Sequence, residues 1–154
     1  MIFFGHIGIT AFLAALLFLP ALFAGIGAII PDIFDKSLFL LGVFPCTRFF
    51  GHTILFAVLV GLVTLVIARK KSFGIAMFFG SFLHLIQDIP GNVPFLFPFI
   101  NYSFFATCGQ LSIIDHLNAY EIAAEILGVI FLIVLIKYWN KLELFRNKLW
   151  TLFR

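Results

Sequence analysis

The sequence predicts an all-α fold, an integral membrane helical bundle of about four to five helices with an N-terminal short-helix hairpin broken near Pro20. Three observations carry that expectation. The 154 residues are 63% apolar and only 11% charged, whereas soluble domains carry roughly 25% charged residues. Mean hydropathy is +1.17. Four apolar stretches, near 7–30, 52–68, 72–88 and 117–138, approach the roughly 20 residues a helix needs to cross a bilayer. A small soluble domain has too much surface to hide this much apolar area, and the 23 Phe exclude a disordered chain. Ten Lys and Arg with a net charge of +3 give no basis for nucleic-acid binding. Residues 1–154 read as one integral membrane domain without a cleavable leader, because Met1-Ile2-Phe3-Phe4-Gly5-His6 lacks a basic n-region.

The first stretch contains Pro20, Gly25 and Gly27. An unbroken helix would hold His6 and Asp32 about 39 Å apart, at about 1.5 Å per residue. A break at Pro20 into helices over roughly 6–19 and 21–31 would return both residues to one end; a single long span over 7–30 is the alternative. Residues 31–51 carry turn formers and polar groups and read as less regular. The second and third stretches are joined by Arg69-Lys70-Lys71 and so form an antiparallel hairpin. In 89–116, Pro90, Pro94 and Pro98 prevent a regular helix, and the Phe and Leu between them fit a loop lying in the interface. The basic tail 141–154 alternates Leu, Phe and Trp with Lys and Arg, which suits either a helix lying on an anionic leaflet or a frayed end.

The few charges are sorted. Eight of the ten basic residues fall at one membrane face, leaving only Lys36 and Arg48 at the other. The positive-inside rule makes the basic face cytoplasmic, giving a multi-pass protein of the cell (inner or plasma) membrane with a cytoplasmic C-terminus. Asp32, Asp35, Asp88, Asp115, Glu121 and Glu125 collect at or near the non-cytoplasmic face, with His6, His52, His84 and His116. There Cys46 and Cys108 would meet an oxidising compartment and either pair or remain free thiols.

His84 and Asp88 stand at i and i+4 on one face of an apolar helix. An unpaired ionised group is costly in hydrocarbon, so the two either share a divalent cation or pair with each other. Glu121 and Glu125 repeat the spacing, and adjacent carboxylates call for a cation or proton between them unless they are solvated. Arg48 lies four residues before His52, where a helix begins. That placement makes either an anion site or an interfacial anchor. A metal cluster beside an anion site is what phosphoester hydrolysis requires: the cation takes up developing negative charge while the metal polarises phosphoryl oxygens and acidifies water.

Gly5-His6, Gly27-Ala28-Ile29-Ile30-Pro31-Asp32 with Asp35-Lys36, Arg48-Phe49-Phe50-Gly51-His52-Thr53, Gly80-Ser81-Phe82-Leu83-His84-Leu85-Ile86-Gln87-Asp88 and Pro94-Phe95-Leu96-Phe97-Pro98-Phe99 occur in that order. Together, over roughly residues 5–130, they resemble the membrane-bound metal-dependent hydrolases of bacteria and archaea catalogued as LexA-binding inner-membrane hydrolases. These are distantly like zinc-dependent phospholipase C and P1-type nuclease. The resemblance implies metal ligation by His6, Asp32, His52, His84 and Asp88, and the analogy suggests phosphoester substrates. The family's second acid stands one residue earlier than Asp35 and is followed by a His that this chain lacks. The expectation is therefore a membrane-embedded hydrolase holding one to three divalent metals, zinc by its imidazole-rich ligands. Asp35, Asp88 or Glu125 would serve as general base, and Arg48 would stabilise charge. The substrate would be a lipid or lipid-linked phosphoester, with membrane lipids the partners. A metal-ion or proton-coupled transporter is the alternative, and a purely structural polar cluster is a third reading.

Overall fold

A computed structural model describes residues 3–106 and 119–152, with side chains described as far as residue 144. The described residues are all-helical and contain no strand: α1 Phe4–Leu16, α2 Ala21–Leu40, α3 Ile54–Ala68, α4 Lys71–Gln87, a 3-10 turn at Ser103–Ala106, and α5 Ala119–Leu152. Only one described helix is long and apolar enough to cross a membrane, α5 over Ala119–Leu144; α1 and α3 are apolar but shorter.

The N-terminal stretch is broken as Pro20 implies. Phe18 adopts a left-handed φ of 58°, and Pro20 occupies the N-cap of α2, so α1 and α2 form a hairpin rather than one span over 7–30. The expected end of the second helix at 31 is wrong, because α2 continues through Pro31 to Leu40. A proline inside a helix has no N–H for the carbonyl four residues back and crowds that turn. Here α4 supplies a donor in its place and a second contact beside it. Ser81 Oγ donates to the Gly27 carbonyl at 2.9 Å, and His84 Nδ1 bonds the Ala28 carbonyl at 2.6 Å. Segment 31–40, expected to be irregular, stays helical, and the Gly27 carbonyl that Pro31 leaves open is satisfied from a neighbouring helix.

α3 begins at Thr53, whose Oγ1 accepts the Phe56 N–H at 3.0 Å, a side-chain N-cap. It ends at Arg69, in a left-handed conformation with φ 52°, and α4 starts two residues later. The described part of the basic C-terminal tail continues α5. No Pro or Gly interrupts 129–152, and the backbone of α5 runs on without a break to Leu152.

α2 and α4 pack together at the centre, with α1 against both, α3 on the far side of α4, and α5 against α1. Small residues set the spacing. Ala14, Ala24 and Ala76 are fully buried where α1, α2 and α4 meet, and a Cβ on Gly8 would overlap the Gly128 carbonyl of α5. Close backbone approach over small residues drives helix association where lipid removes the hydrophobic difference. The loops at the site end are joined by aromatic rings, Phe49 lying 4.8 Å from Phe97 and 5.0 Å from Phe105 between centroids. Cys46 is buried and disulfide-bonded rather than a free thiol; Cys108, Asp115 and His116 lie outside the described residues.

The proline argument makes a double-mutant prediction. Ser81→Ala should destabilise the detergent-solubilised protein by about 1–3 kcal/mol, the cost of an unsatisfied buried carbonyl. In a Pro31→Ala background the same change should cost under about 1 kcal/mol, because the substituted backbone then supplies its own N–H to the Gly27 carbonyl. Equal costs in the two backgrounds would remove the proposed link.

Candidate metal centre

Three helices and one loop bring five polar side chains together at one end of the bundle. α1 supplies His6, α2 Asp32, the loop before α3 His52, and α4 His84 with Asp88 at its end. The three imidazoles are fully buried, and Asp88 is nearly so. His6 and His84 stack with centroids 4.0 Å apart. Asp32 Oδ1 lies 3.5 Å from His52 Nε2 and 3.9 Å from His84 Nε2. Asp88 Oδ1 is 3.3 Å from His6 Nε2, and its Oδ2 is 3.6 Å from His52 Nε2 and 3.9 Å from His84 Nε2.

The outer nitrogen of each ring fixes what the inner one presents. His84 Nδ1 faces the Ala28 carbonyl, His52 Nδ1 faces Asp35 Oδ2 at 2.7 Å, and His6 Nδ1 faces Gln87 Oε1 at 3.1 Å. Gln87 is oriented in turn, because its Nε2 donates to Thr10 Oγ1 at 2.9 Å. All three partners are acceptors, so each Nδ1 carries a hydrogen and each neutral ring aims an Nε2 lone pair inward. His52 Nε2 and His84 Nε2 meet at 3.1 Å, and His6 Nε2 is buried without a hydrogen bond. Facing lone pairs repel unless a proton or cation lies between them. Two overlapping sets, His6 with Asp32 and His84, and His52 with His84 and Asp88, have ligand atoms close enough to hold a metal ion. Separations of 3.1–3.9 Å compare with about 3.4 Å between tetrahedral ligands at about 2.1 Å from zinc. The donor set fits a divalent cation.

The other candidate residues lie around this cluster or away from it. Asp35 is fully buried behind His52 and accepts from the N–H groups of Phe49, Gly51 and His52 at 2.6, 2.6 and 3.1 Å. A Cβ on Gly51 would come within 2.7 Å of its Oδ1, which is why this loop needs glycine there. Its oxygens are engaged by the loop and by His52, an orienting arrangement. Arg48 Nε donates to Asp88 Oδ2 at 2.8 Å, and its guanidinium lies where a Cβ on Gly91 would be 2.6 Å from Nη1. Lys36 Nζ donates to Asp32 Oδ2 at 2.7 Å. Glu125 lies elsewhere: its oxygens accept the Phe4 and Gly5 N–H groups at 2.8 and 3.0 Å, at the α1 N-terminus where the helix dipole favours an anion. Glu121 is buried.

A family model described as YdjM inner membrane protein matches residues 1–144. The chain belongs to that family. Membership in the YdjM family makes this an inner-membrane protein, in line with its composition and the apolar span of α5. Neither the curated proteins nor the solved structures provide a match. Gln87, Thr10 and Ser81 were absent from the sequence-derived site of this YdjM-family chain. A Gln directly before Asp88 in an apolar helix was the one available signal for them.

The charges around His52 give the site a measurable proton. Burial disfavours its imidazolium, but the carboxylates of Asp32, Asp35 and Asp88 outweigh that and push its pKa up to about 10. Burial likewise opposes the Asp88 carboxylate, yet His52, His6 and Arg48 hold its pKa far below the ordinary carboxylate range. The metal-free site thus keeps a proton on His52 at neutral pH, and a cation bound there must displace it. Zinc titrated into the purified protein at about pH 8 should release about one proton, read as a binding heat that varies with buffer ionisation enthalpy. That release should fade as pH rises past about 10. Binding heat independent of the buffer would contradict this assignment.

Proposed function

We propose that this chain is a membrane-embedded metal-dependent hydrolase acting on a phosphoester of a lipid or lipid-linked substrate. The observation that carries the reading is a pair of three-residue ligand groups, His6–Asp32–His84 and His52–His84–Asp88, that share His84 and stand beside a guanidinium. His6, Asp32, His52, His84 and Asp88 would hold the ion. His84 belongs to both ligand groups through a single inward nitrogen, which favours one ion over several, and the imidazole-rich set favours zinc. Such an ion polarises a phosphoryl oxygen and lowers the pKa of water beside it.

The protein's own groups do the rest. Asp35, Gln87 and the Ala28 carbonyl hold the three imidazoles in the required tautomer. Asp35 is thereby a positioning residue rather than a general base, and Glu125 stabilises α1. Arg48 is anchored through Nε, with its side chain 23% exposed, so its terminal nitrogens are placed to take up negative charge on a substrate phosphate. Lys36, more exposed still, adds a second cation at the rim. The three carboxylates Asp32, Asp35 and Asp88 face two fixed cations, so a divalent ion with neutral imidazoles leaves the site positive and receptive to an anion. In this reading several helices embed in the bilayer, the C-terminus is cytoplasmic, and the site opens at the opposite face.

Metal analysis joined to a hydrolysis assay tests the proposal. The purified protein should carry one divalent ion, lost on chelation and in His84→Ala. Release of phosphate or headgroup from phospholipid vesicles should vanish with the ion. Arg48→Ala should retain the ion but lose about 10²–10³ of turnover, the scale of removing one charge-stabilising donor. A preparation without stoichiometric metal would sink the reading. Passage of the ion across proteoliposomes without hydrolysis would favour a transporter instead.

A further inference from the structure

Away from the polar cluster, α3 and α4 cross where Gly61 meets Gly74, a Cβ on Gly61 falling 3.0 Å from the Gly74 carbonyl. Beside this crossing runs a groove of about 340 Å³ walled by Leu62, Leu65, Ile75 and Phe78, with Lys71 also in its lining. That volume lies at the lower end of small-molecule sites. The walls are aliphatic or aromatic, and Leu62 and Ile75 are half exposed. Lys71 shares the α3–α4 link with Arg69 and Lys70, and no acidic residue occurs anywhere between Asp35 and Asp88. α4 also begins there without a side-chain cap and without an acid in its first turn, so its positive dipole end adds to the three cations. An apolar slot with unopposed positive charge at one end matches a molecule with a hydrocarbon tail and an anionic head.

We propose that the α3–α4 groove seats an acyl chain of an anionic phospholipid whose phosphate rests on Lys71. The charge selects the lipid: a zwitterionic headgroup brings its own cation toward Arg69, Lys70 and Lys71, whereas an anionic one does not. The site lies at the opposite end of α4 from His84 and Asp88 and does not depend on the hydrolase reading.

Native mass spectrometry of the full chain in mild detergent tests this, with phosphatidylglycerol and phosphatidylcholine of matched acyl chains offered in equal amounts. One phosphatidylglycerol per chain should be retained in preference. Lys71→Gln, an exposed change, should lower its occupancy about fivefold, the value of one lysine near an anionic headgroup. Ile75→Trp should fill the groove and remove both lipids. Equal retention of the two lipids, or phosphatidylglycerol retention unchanged in both variants, would overturn the proposal. Displacement by excess glycerol phosphate would also overturn it, by showing attachment through charge without the groove. A dimer abolished by Ile75→Trp would assign the groove to a second copy of the chain instead.

Discussion

Inside a chain this poor in charge, an imidazole must be told which of its nitrogens to protonate, and the fold is arranged around that requirement. Each of the three buried rings meets an acceptor on its outer side: a backbone carbonyl for His84, a carboxylate for His52 and an amide oxygen for His6. These partners come from α2 and α4. They leave the inner nitrogen of each ring to act as the electron-pair donor once that ring is neutral, and the packing that supplies them is also the packing that holds the bundle together. The Ala28 carbonyl of α2 meets His84 of α4. Next to it the Gly27 carbonyl, left without a donor by Pro31, takes the Ser81 hydroxyl, so one proline joins α2 to α4 beside a candidate ligand.

Local chemistry was legible in the sequence wherever its cause was local. Pro20 announced the first turn, Arg69-Lys70-Lys71 announced the second, and Pro90, Pro94 and Pro98 announced the irregular loop. The His and Asp residues were visible because polar groups in a strongly apolar chain have few places to be. What depended on distant partners could not be read. Pro31 looked like a helix end, since the donors that sustain the helix sit about 50 positions later, on α4. Asp35 and Glu125 drew attention as carboxylates near the site. Apart from the His52 ring on Asp35, their partners are backbone N–H groups, which carry no residue signature. Gln87 was hidden for a related reason, because its part is to orient His6 across the interface between α1 and α4.

Two materials do different work in this molecule. The helix crossings use glycine and alanine, so the backbones come near enough to bind without a hydrophobic drive. The loops around the site instead use phenylalanine, with Phe44, Phe49, Phe97 and Phe105 in a connected set of ring contacts. Small residues let the helices approach closely, and large rings tie together the loops at the site end.

The carboxylate of Glu125 bonds the first turn of α1, and Gly128 lies against Phe4 and Gly5. A ribosome delivers these parts in the reverse of the order they need. His6 leaves first, while the residues that seat its helix arrive some 120 positions later. Until α5 is in place, α1 lacks both the anion at its N-terminus and the glycine seat beneath it, and His6 is the candidate ligand least secured. Closure of the polar cluster therefore waits for α5, so a protein interrupted before that helix would lack a properly seated His6.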